Sequence, residues 1–340
     1  MALWDDLIDP VELTAEAREA ADEAEARKGS LARFLPNVEV ADIHVEVVES
    51  ESGLVEEAQY RAWDAEPETA GGDQGGGFSI KLPALGQKRF ITEYQQLRNR
   101  NAGDAELRAS IVKTARKTAV AVVSRMERQR AIALLTGKTT ITGRRYNSED
   151  DFGRDPSHTT ETPVSWADPT VSRLADLEAL VDKYVTTNGV EPGAIVLSKR
   201  ILRALGAGDE FATVLANGSN RRATDEEIRS VIAGAGLPEI EVYDRRTSQG
   251  LLIPDDTLLL LPEPGATSAA EQTELGASFW GRTLTSMAPE YGIEAVEQPG
   301  VVVAAHKNES VPHNAWVDSD AIGLPVLANA NLTLVAKVFG

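Results

Sequence analysis

DAELRASIVKTARKTAVAVVSRMERQRAIALLT, residues Asp104–Thr136, is the stretch that decides the fold. Leu107, Ile111, Ala115, Ala119, Val122, Met126 and Leu134 recur at spacings of three or four and their sums, which is the apolar stripe of an amphipathic helix. Asn101 and Asp104 offer N-caps, and Gly137 supplies the stop. At about 1.5 Å per residue such a helix spans roughly 50 Å, about three times the common helix length. Lys113, Arg116, Lys117, Arg125, Arg128 and Arg130 carry most of its charge. No aromatic residue is interleaved with them, which disfavours a reader of single-stranded nucleic acid that stacks bases on aromatic platforms.

Around this helix the chain divides into three charge blocks. Residues 1–77 hold 20 acidic and 5 basic side chains, residues 78–146 hold 4 and 15, and residues 147–340 hold 29 and 14. An acidic first quarter therefore runs directly into the basic helix, so the helix has a natural electrostatic partner in this chain or in a copy of it. The overall charge of −19 argues against general binding to nucleic acid or an anionic membrane. The length suits one large or two ordinary domains. There is no cysteine, which excludes disulfides, thiolate metal sites and cysteine nucleophiles. The start carries no secretory leader pattern, and the apolar run Thr257–Leu261 is far too short to cross a bilayer.

Upstream, Asp9–Lys28 predicts a helix with Asp9 as N-cap, Pro10 at N1 and Gly29 past its end. Its middle is mostly Ala and Glu, the composition of a frayed tail or of an arm that orders on a neighbour. Val38–Val48 alternates as a strand with a break at Ala41-Asp42, and Phe78–Leu82 resumes as a strand. Together they predict a long two-stranded excursion that needs a surface to lie on. The glycine cluster at 71–77 between them follows an acidic loop and opens no helix, so it is no dinucleotide fingerprint.

Downstream, Lys138–Tyr146 predicts a strand and the polar Asn147–Thr162 a loop. A helix is expected from Asp168-Pro169 to Asn188-Gly189, a buried strand at Ala194–Leu197 and a helix capped by Ser198. Thr224-Asp-Glu-Glu227 is a capping box for a further helix. Glu239–Tyr243, Thr257–Leu261, Val301–Ala305 and Leu332–Val338 predict strands.

Motifs of chemistry fail on inspection. Gly137-Lys138-Thr139 looks like the end of a P-loop, but Ile132 stands where its first glycine belongs. Gly276–Gly281 is one residue too long for a nucleophile elbow. His44, His158, His306 and His313 have no helical i, i+4 partner, and His306/His313 lack a third ligand. Asp255-Asp256 are plausible turn residues. Phe152 occupies the glycine position of an EF-hand spacing at 147–155. No catalytic, cofactor or metal site is proposed by these residues.

The C-terminal half carries a distinctive set of motifs: Phe279-Trp-Gly-Arg-Thr-Leu284, Tyr291-Gly-Ile293, Glu297-Gln-Pro-Gly-Val-Val-Val303, Pro312-His-Asn-Ala-Trp-Val317 and Leu324-Pro-Val-Leu327, with Leu134-Leu-Thr-Gly137 and Glu191-Pro-Gly-Ala-Ile-Val196 before them. In these motifs and in its order of elements the chain resembles the major capsid proteins of tailed bacteriophages, which share the Hong Kong 97-like fold, and is most similar to the lambda-type capsid protein E family. The resemblance implies an α+β fold. Residues 1–38 would be an N-terminal arm and 39–91 an extended E-loop. Residues 92–162 would be a P-domain with spine helix 104–136, residues 163–298 an A-domain, and 299–340 strands closing on the P-domain.

It further implies a non-enzymatic subunit, without cofactor, that assembles as hexamers and pentamers into an icosahedral shell around phage double-stranded DNA. The expected partners are a separate scaffolding protein, a portal and a decoration protein, and the expected place is the virion capsid, assembled in the host cytoplasm. Some relatives crosslink a Lys to an Asn between subunits. No motif here assigns such a pair to Lys81 or Lys88, and lambda-type members use decoration proteins instead. On this reading the intersubunit electrostatic candidates are Lys113, Arg116, Lys117, Arg125 and Arg128 facing Glu46, Glu49, Glu56, Glu57 and Asp64. A nanocompartment shell of the encapsulin type and an unrecognised soluble α/β enzyme are the alternatives.

Overall fold

The computed structural model describes residues 2–5, 7–27, 29–48, 77–99, 104–143, 146–211, 222–265 and 273–339. The helices of these residues are α1 (Pro10–Glu25), α2 (Glu93–Asn99), α3 (Asp104–Thr136), α4 (Arg173–Asn188), α5 (Lys199–Leu205), α6 (Asp225–Gly234) and α7 (Leu284–Met287). Helix α3 runs unbroken over its full expected length and ends at Gly137, whose φ of +67° takes the left-handed conformation of a helix stop.

Two sheets flank this helix. The first has the strand order Ala2–Leu3, Val302–Lys307, Ala315–Leu327, Gly276–Gly281, Asn37–Glu39, and Ala84–Ile91 pairs along the free edge of Ala315–Leu327. The second orders Glu239–Val242, Ala194–Leu197, Thr257–Leu261, Leu334–Lys337 and Thr159–Glu161. Helix α3 joins both. Ile111, Ala115, Ala119, Val122 and Met126 pack with Val303, Val317 and Ala321 of the first sheet. Ala131, Ala133 and Leu134 reach the core of the second, beside Leu259, Leu334 and Trp166. A third cluster sets Val45, Val47, Ile80 and Leu82 of the ribbon His44–Val48/Gly77–Lys81 against Phe279, Ile322, Leu324 and Val326.

The structure departs from the sequence expectations in several elements, the unexpected strands Ala84–Ile91 and Gly276–Gly281 among them. The alternating run 38–48 is two strands: Asn37–Glu39 lies parallel to Gly276–Gly281, and His44–Val48 turns away to pair with Gly77–Lys81. The stretch expected as a loop after Tyr146 contains Asn147–Asp151, paired with Lys138–Thr142. Its alternate acids point to solvent, where Lys138 Nζ lies 2.7 Å from Asp151 and 3.6 Å from Glu149, so no apolar alternation announces it. Helix α4 starts at Arg173, because Ser172 accepts the Ala175 N–H as N-cap, whereas Asp168 turns back to accept from Thr170.

The longest strand, Ala315–Leu327, was not expected, since Asp318, Asp320, Gly323 and Pro325 interrupt its apolar pattern. Gly323 donates to Pro83 on the edge shared with Ala84–Ile91. Pro325, two residues on and facing the same way, lies beyond the end of that partner, so its missing N–H breaks no ladder bond. Finally, α1 is not a detached arm; it packs along α3 of its own chain.

Gly276 opens its strand at φ +143°, and a Cβ there would stand 2.1 Å from the Val326 carbonyl oxygen. Gly276→Ala is therefore expected to cost at least about 2 kcal/mol, from backbone strain and overpacking together, measured by chemical denaturation. Ala at Gly236, where a Cβ would meet nothing within 4 Å, is the milder comparison.

Candidate assembly surface and the polar junction beneath it

Helix α1 forms where it does because Asp9 accepts the Val11 N–H at 2.9 Å and Pro10 fixes the first turn. Leu13, Ala17, Ala20, Ala21 and Ala24 are buried, and their small side chains let α1 approach α3 closely. Thr14 exchanges hydrogen bonds with the backbone of Val303. The Arg18 guanidinium donates to the carbonyls of Val301, Glu297 and Pro299; burial pushes its pKa down while Glu297, Glu39 and Asp22 oppose that shift.

Glu12, Glu16, Glu19 and Glu23 recur at spacings of four, three and four, so they form one row along α1. That row meets α3, with the two helices running in the same direction. Arg108 pairs with Glu12, and Arg116 fans across Glu16 (3.0 Å), Glu19 (3.5 Å) and Glu23 (3.3 Å). These groups are a third or more exposed, so each pair is worth less than about 1 kcal/mol and the alanine packing does most of the holding. The basic helix thus finds an acidic partner in its own chain, and that partner is α1.

The other candidates are distributed unevenly. Lys113 and Lys117 are exposed and form no ion pair among the described residues. Arg125 is half-buried; desolvation and the neighbouring Arg128 push its pKa down. Arg128 donates to the Thr247 hydroxyl. Glu46 is exposed on the strand His44–Val48. Glu49, Glu56, Glu57 and Asp64 lie outside the described residues.

Beneath this surface lies a buried polar junction that sequence reasoning missed. Glu127 is 1% exposed and Arg130 0%. Arg130 donates from Nε to Ser278 Oγ (2.8 Å), from Nη1 to Glu25 (2.8 Å) and Glu127 (3.1 Å), and from Nη2 to Asn37 Oδ1. Glu127 accepts from the Leu31 N–H (2.9 Å), the Tyr243 hydroxyl (2.9 Å) and the Ser30 hydroxyl (3.3 Å). Arg245 Nη1 sits 3.0 Å from Glu127 as an ion pair off the hydrogen-bonding line, and its Nη2 donates to the Ala24 carbonyl.

Two carboxylates and two guanidiniums therefore balance, and they tie together the end of α1, the segment 30–37, α3, the second sheet's flank and the first sheet's strand Gly276–Gly281. Burial alone would raise the Glu127 pKa, but Arg130, the Leu31 N–H, Arg245 and Tyr243 together hold it below the ordinary glutamate value. Burial, with Glu127 next, pushes the Tyr243 phenol far up, so it stays a donor. One signal was available: Glu127 is the only acid between Glu106 and Glu149, with Arg130 three residues on.

The remaining histidines do not converge. His306 stacks on Trp316 and stands 3.1 Å from Asp318, whereas His313 meets the Asn308 carbonyl. Among the described residues no group of three His, Cys, Asp or Glu side chains is placed to hold a metal ion, and no helix is long and apolar enough to cross a membrane.

A long helix spanning two sheets, with a two-stranded ribbon on one of them, is an architecture with known relatives. The sequence matches the family described as phage major capsid protein E over residues 31–338. The chain belongs to that family. It is a structural shell protein of the virion capsid and not an enzyme. Two solved structures share the fold. A prophage capsid protein from E. coli CFT073 is 15% identical, covers 97% of this chain and 99% of its own, and has a TM-score of 0.65. A phage-related protein from Bordetella bronchiseptica RB50 is 14% identical, covers 100% and 99%, and has a TM-score of 0.59. No protein with a curated description matches the sequence.

Proposed function

We propose that this capsid subunit assembles as hexamers and pentamers into an icosahedral shell around double-stranded DNA. In it, residues 1–38 form the N-terminal arm, 39–91 the E-loop, 92–162 the P-domain and 163–298 the A-domain, with 299–340 closing on the P-domain. The observation that supports more than one body is the pair of apolar cores on either side of the polar junction, where α3 passes from the first sheet to the second. The sheets cut across these bounds, since Gly276–Gly281 lies in the first sheet and Thr159–Glu161 and Leu334–Lys337 lie in the second.

A separate scaffolding protein, a portal and a decoration protein complete the proposed set of partners. The wall holds packaged DNA without gripping it, because its charge of −19 repels a polymer carrying about one charge per 1.7 Å. Electrostatic matching between the acidic E-loop and the basic spine favours correct register more than raw affinity. Electron microscopy of the chain co-expressed with its scaffold tests the reading. Shells, tubes or capsomer sheets are expected, and a stable monomer under every condition would overturn it.

A further inference from the structure

A cavity of about 360 Å³ opens between α3, the first sheet and the ribbon Lys138–Thr142/Asn147–Asp151. That volume lies within the range of small-molecule sites, about 300–1,000 Å³. Met126 of α3, Leu85 and Leu324 of the first sheet, and Ile141 of the ribbon give it apolar walls. Tyr146 stands at the rim, and its ring stacks on no other ring among the described residues.

Two polar groups break the apolar lining. Arg125 and Gln129 are four residues apart on α3, so they share one face of the helix. Gln129 is only 5% exposed and its amide oxygen makes no hydrogen bond. A buried amide without a partner is costly, and one that is free to turn offers a ligand its oxygen or its NH2 group. Arg125 is half-buried and forms no ion pair among the described residues. Arg128, three residues on, adds its positive field, and no acid among the described residues lines the cavity.

These groups select the occupant. The apolar walls and the unstacked ring at the mouth suit a flat aromatic body. The guanidinium without a counter-charge suits an anion, and a cation or a neutral apolar body would leave it unpaired. We propose that the cavity is a binding site for a small aromatic acid, whose carboxylate or sulfonate pairs with Arg125 while its rings lie among Met126, Ile141 and Leu324. The Gln129 amide supplies the one neutral hydrogen bond that fixes its orientation. A ligand held in this way touches three elements at once, so it ties the ribbon to α3 and to the first sheet. The site belongs to the single subunit and does not depend on shell formation.

The test uses two dyes on the purified full-length chain. 8-Anilinonaphthalene-1-sulfonate carries aromatic rings, an N–H and a sulfonate, and it fluoresces when shielded from water. N-phenyl-1-naphthylamine has the same rings and N–H without the charge. Saturable binding of one sulfonate dye per chain is expected, with a rise in the urea midpoint as the site fills. Arg125→Met keeps a long apolar side chain and removes the charge, so it should weaken the sulfonate dye about tenfold and leave the neutral dye within about twofold. Ala84→Trp and Thr142→Trp, each at an exposed lining position, fill the mouth from opposite sides and should weaken both dyes about tenfold. The two blocking variants keep the test open if one of them fails to fold. Sulfonate binding that survives in a folded blocking variant would place the dye elsewhere and overturn the site. Arg125→Met affecting the two dyes equally would overturn the charge pairing. Octanoate displacing the sulfonate dye as well as 1-naphthoate does would overturn the aromatic class. Absence of saturable binding to the wild-type chain would overturn the proposal as a whole.

Discussion

Replacing Glu127 by alanine is expected to destabilise the subunit by about 3–5 kcal/mol, because it strands buried cations without a counter-charge. Arg130 keeps Glu25, but Arg245 loses its one carboxylate partner among the described residues, and the Tyr243 hydroxyl and Leu31 N–H lose their acceptor. Glu127→Gln keeps the shape and one acceptor while removing the charge, so it should fall between wild type and alanine. The pH dependence follows from the direction of the shift. The Glu127 pKa is depressed in the folded chain, so its contribution is fully present above the ordinary glutamate value and is lost as pH falls through the folded value. The stability gap between wild type and Glu127→Gln, measured by urea denaturation, should therefore be widest near neutrality and narrow in acid below about pH 4. A gap that is constant with pH would mean that the charge of Glu127 does not hold the junction.

The same junction marks where sequence reasoning stops. Local signals were legible because their causes are local. The capping box at Thr224 is realised as drawn, with the Glu227 N–H donating to the Thr224 hydroxyl and the Thr224 N–H donating to the Glu227 carboxylate. Helix α3 has its expected bounds because its apolar stripe and Gly137 are both in the run. The α+β class and the capsid family were legible as well, through motifs spread over the C-terminal half.

Non-local features were not legible. Helix α1 presents almost no large apolar group besides Leu13, so nothing in its own residues shows that Ala17 and Ala21 join the core of α3. Its row of four glutamates at helical spacing was visible, and the matching arginines at 108 and 116 were too, but only packing makes them partners. Strand Ala315–Leu327 reads as broken because its proline is harmless only where the neighbouring strand has ended. The network of Glu127 draws on residues 25, 30, 31, 37, 130, 243, 245 and 278, a combination that no spacing in one sequence reveals.

The α1–α3 contact also divides the basic row of α3 into two kinds of cation, and charge reversal should separate them. Arg116 faces three glutamates of its own chain, so Arg116→Glu sets a fourth carboxylate against them and should loosen α1 in the free subunit. Limited proteolysis should then cut within 10–25, a region expected to resist cleavage in the wild-type chain because its apolar face is buried. Lys113 and Lys117 face solvent in the single subunit and form no such pair among the described residues. Lys113→Glu with Lys117→Glu should leave the denaturation midpoint within about 0.5 kcal/mol of wild type, as is usual for surface positions. Assembly should suffer instead. If the two lysines face acids of a neighbouring subunit, reversing both turns attraction into repulsion at every copy of that contact. A change of about 1.4 kcal/mol per contact raises the concentration needed for assembly about tenfold. Light scattering of purified subunits mixed with scaffold measures it. An unchanged assembly threshold in the double variant would show that the free lysines of α3 serve solubility alone. A threshold raised only by Arg116→Glu would place the electrostatic work inside the subunit, in the docking of α1.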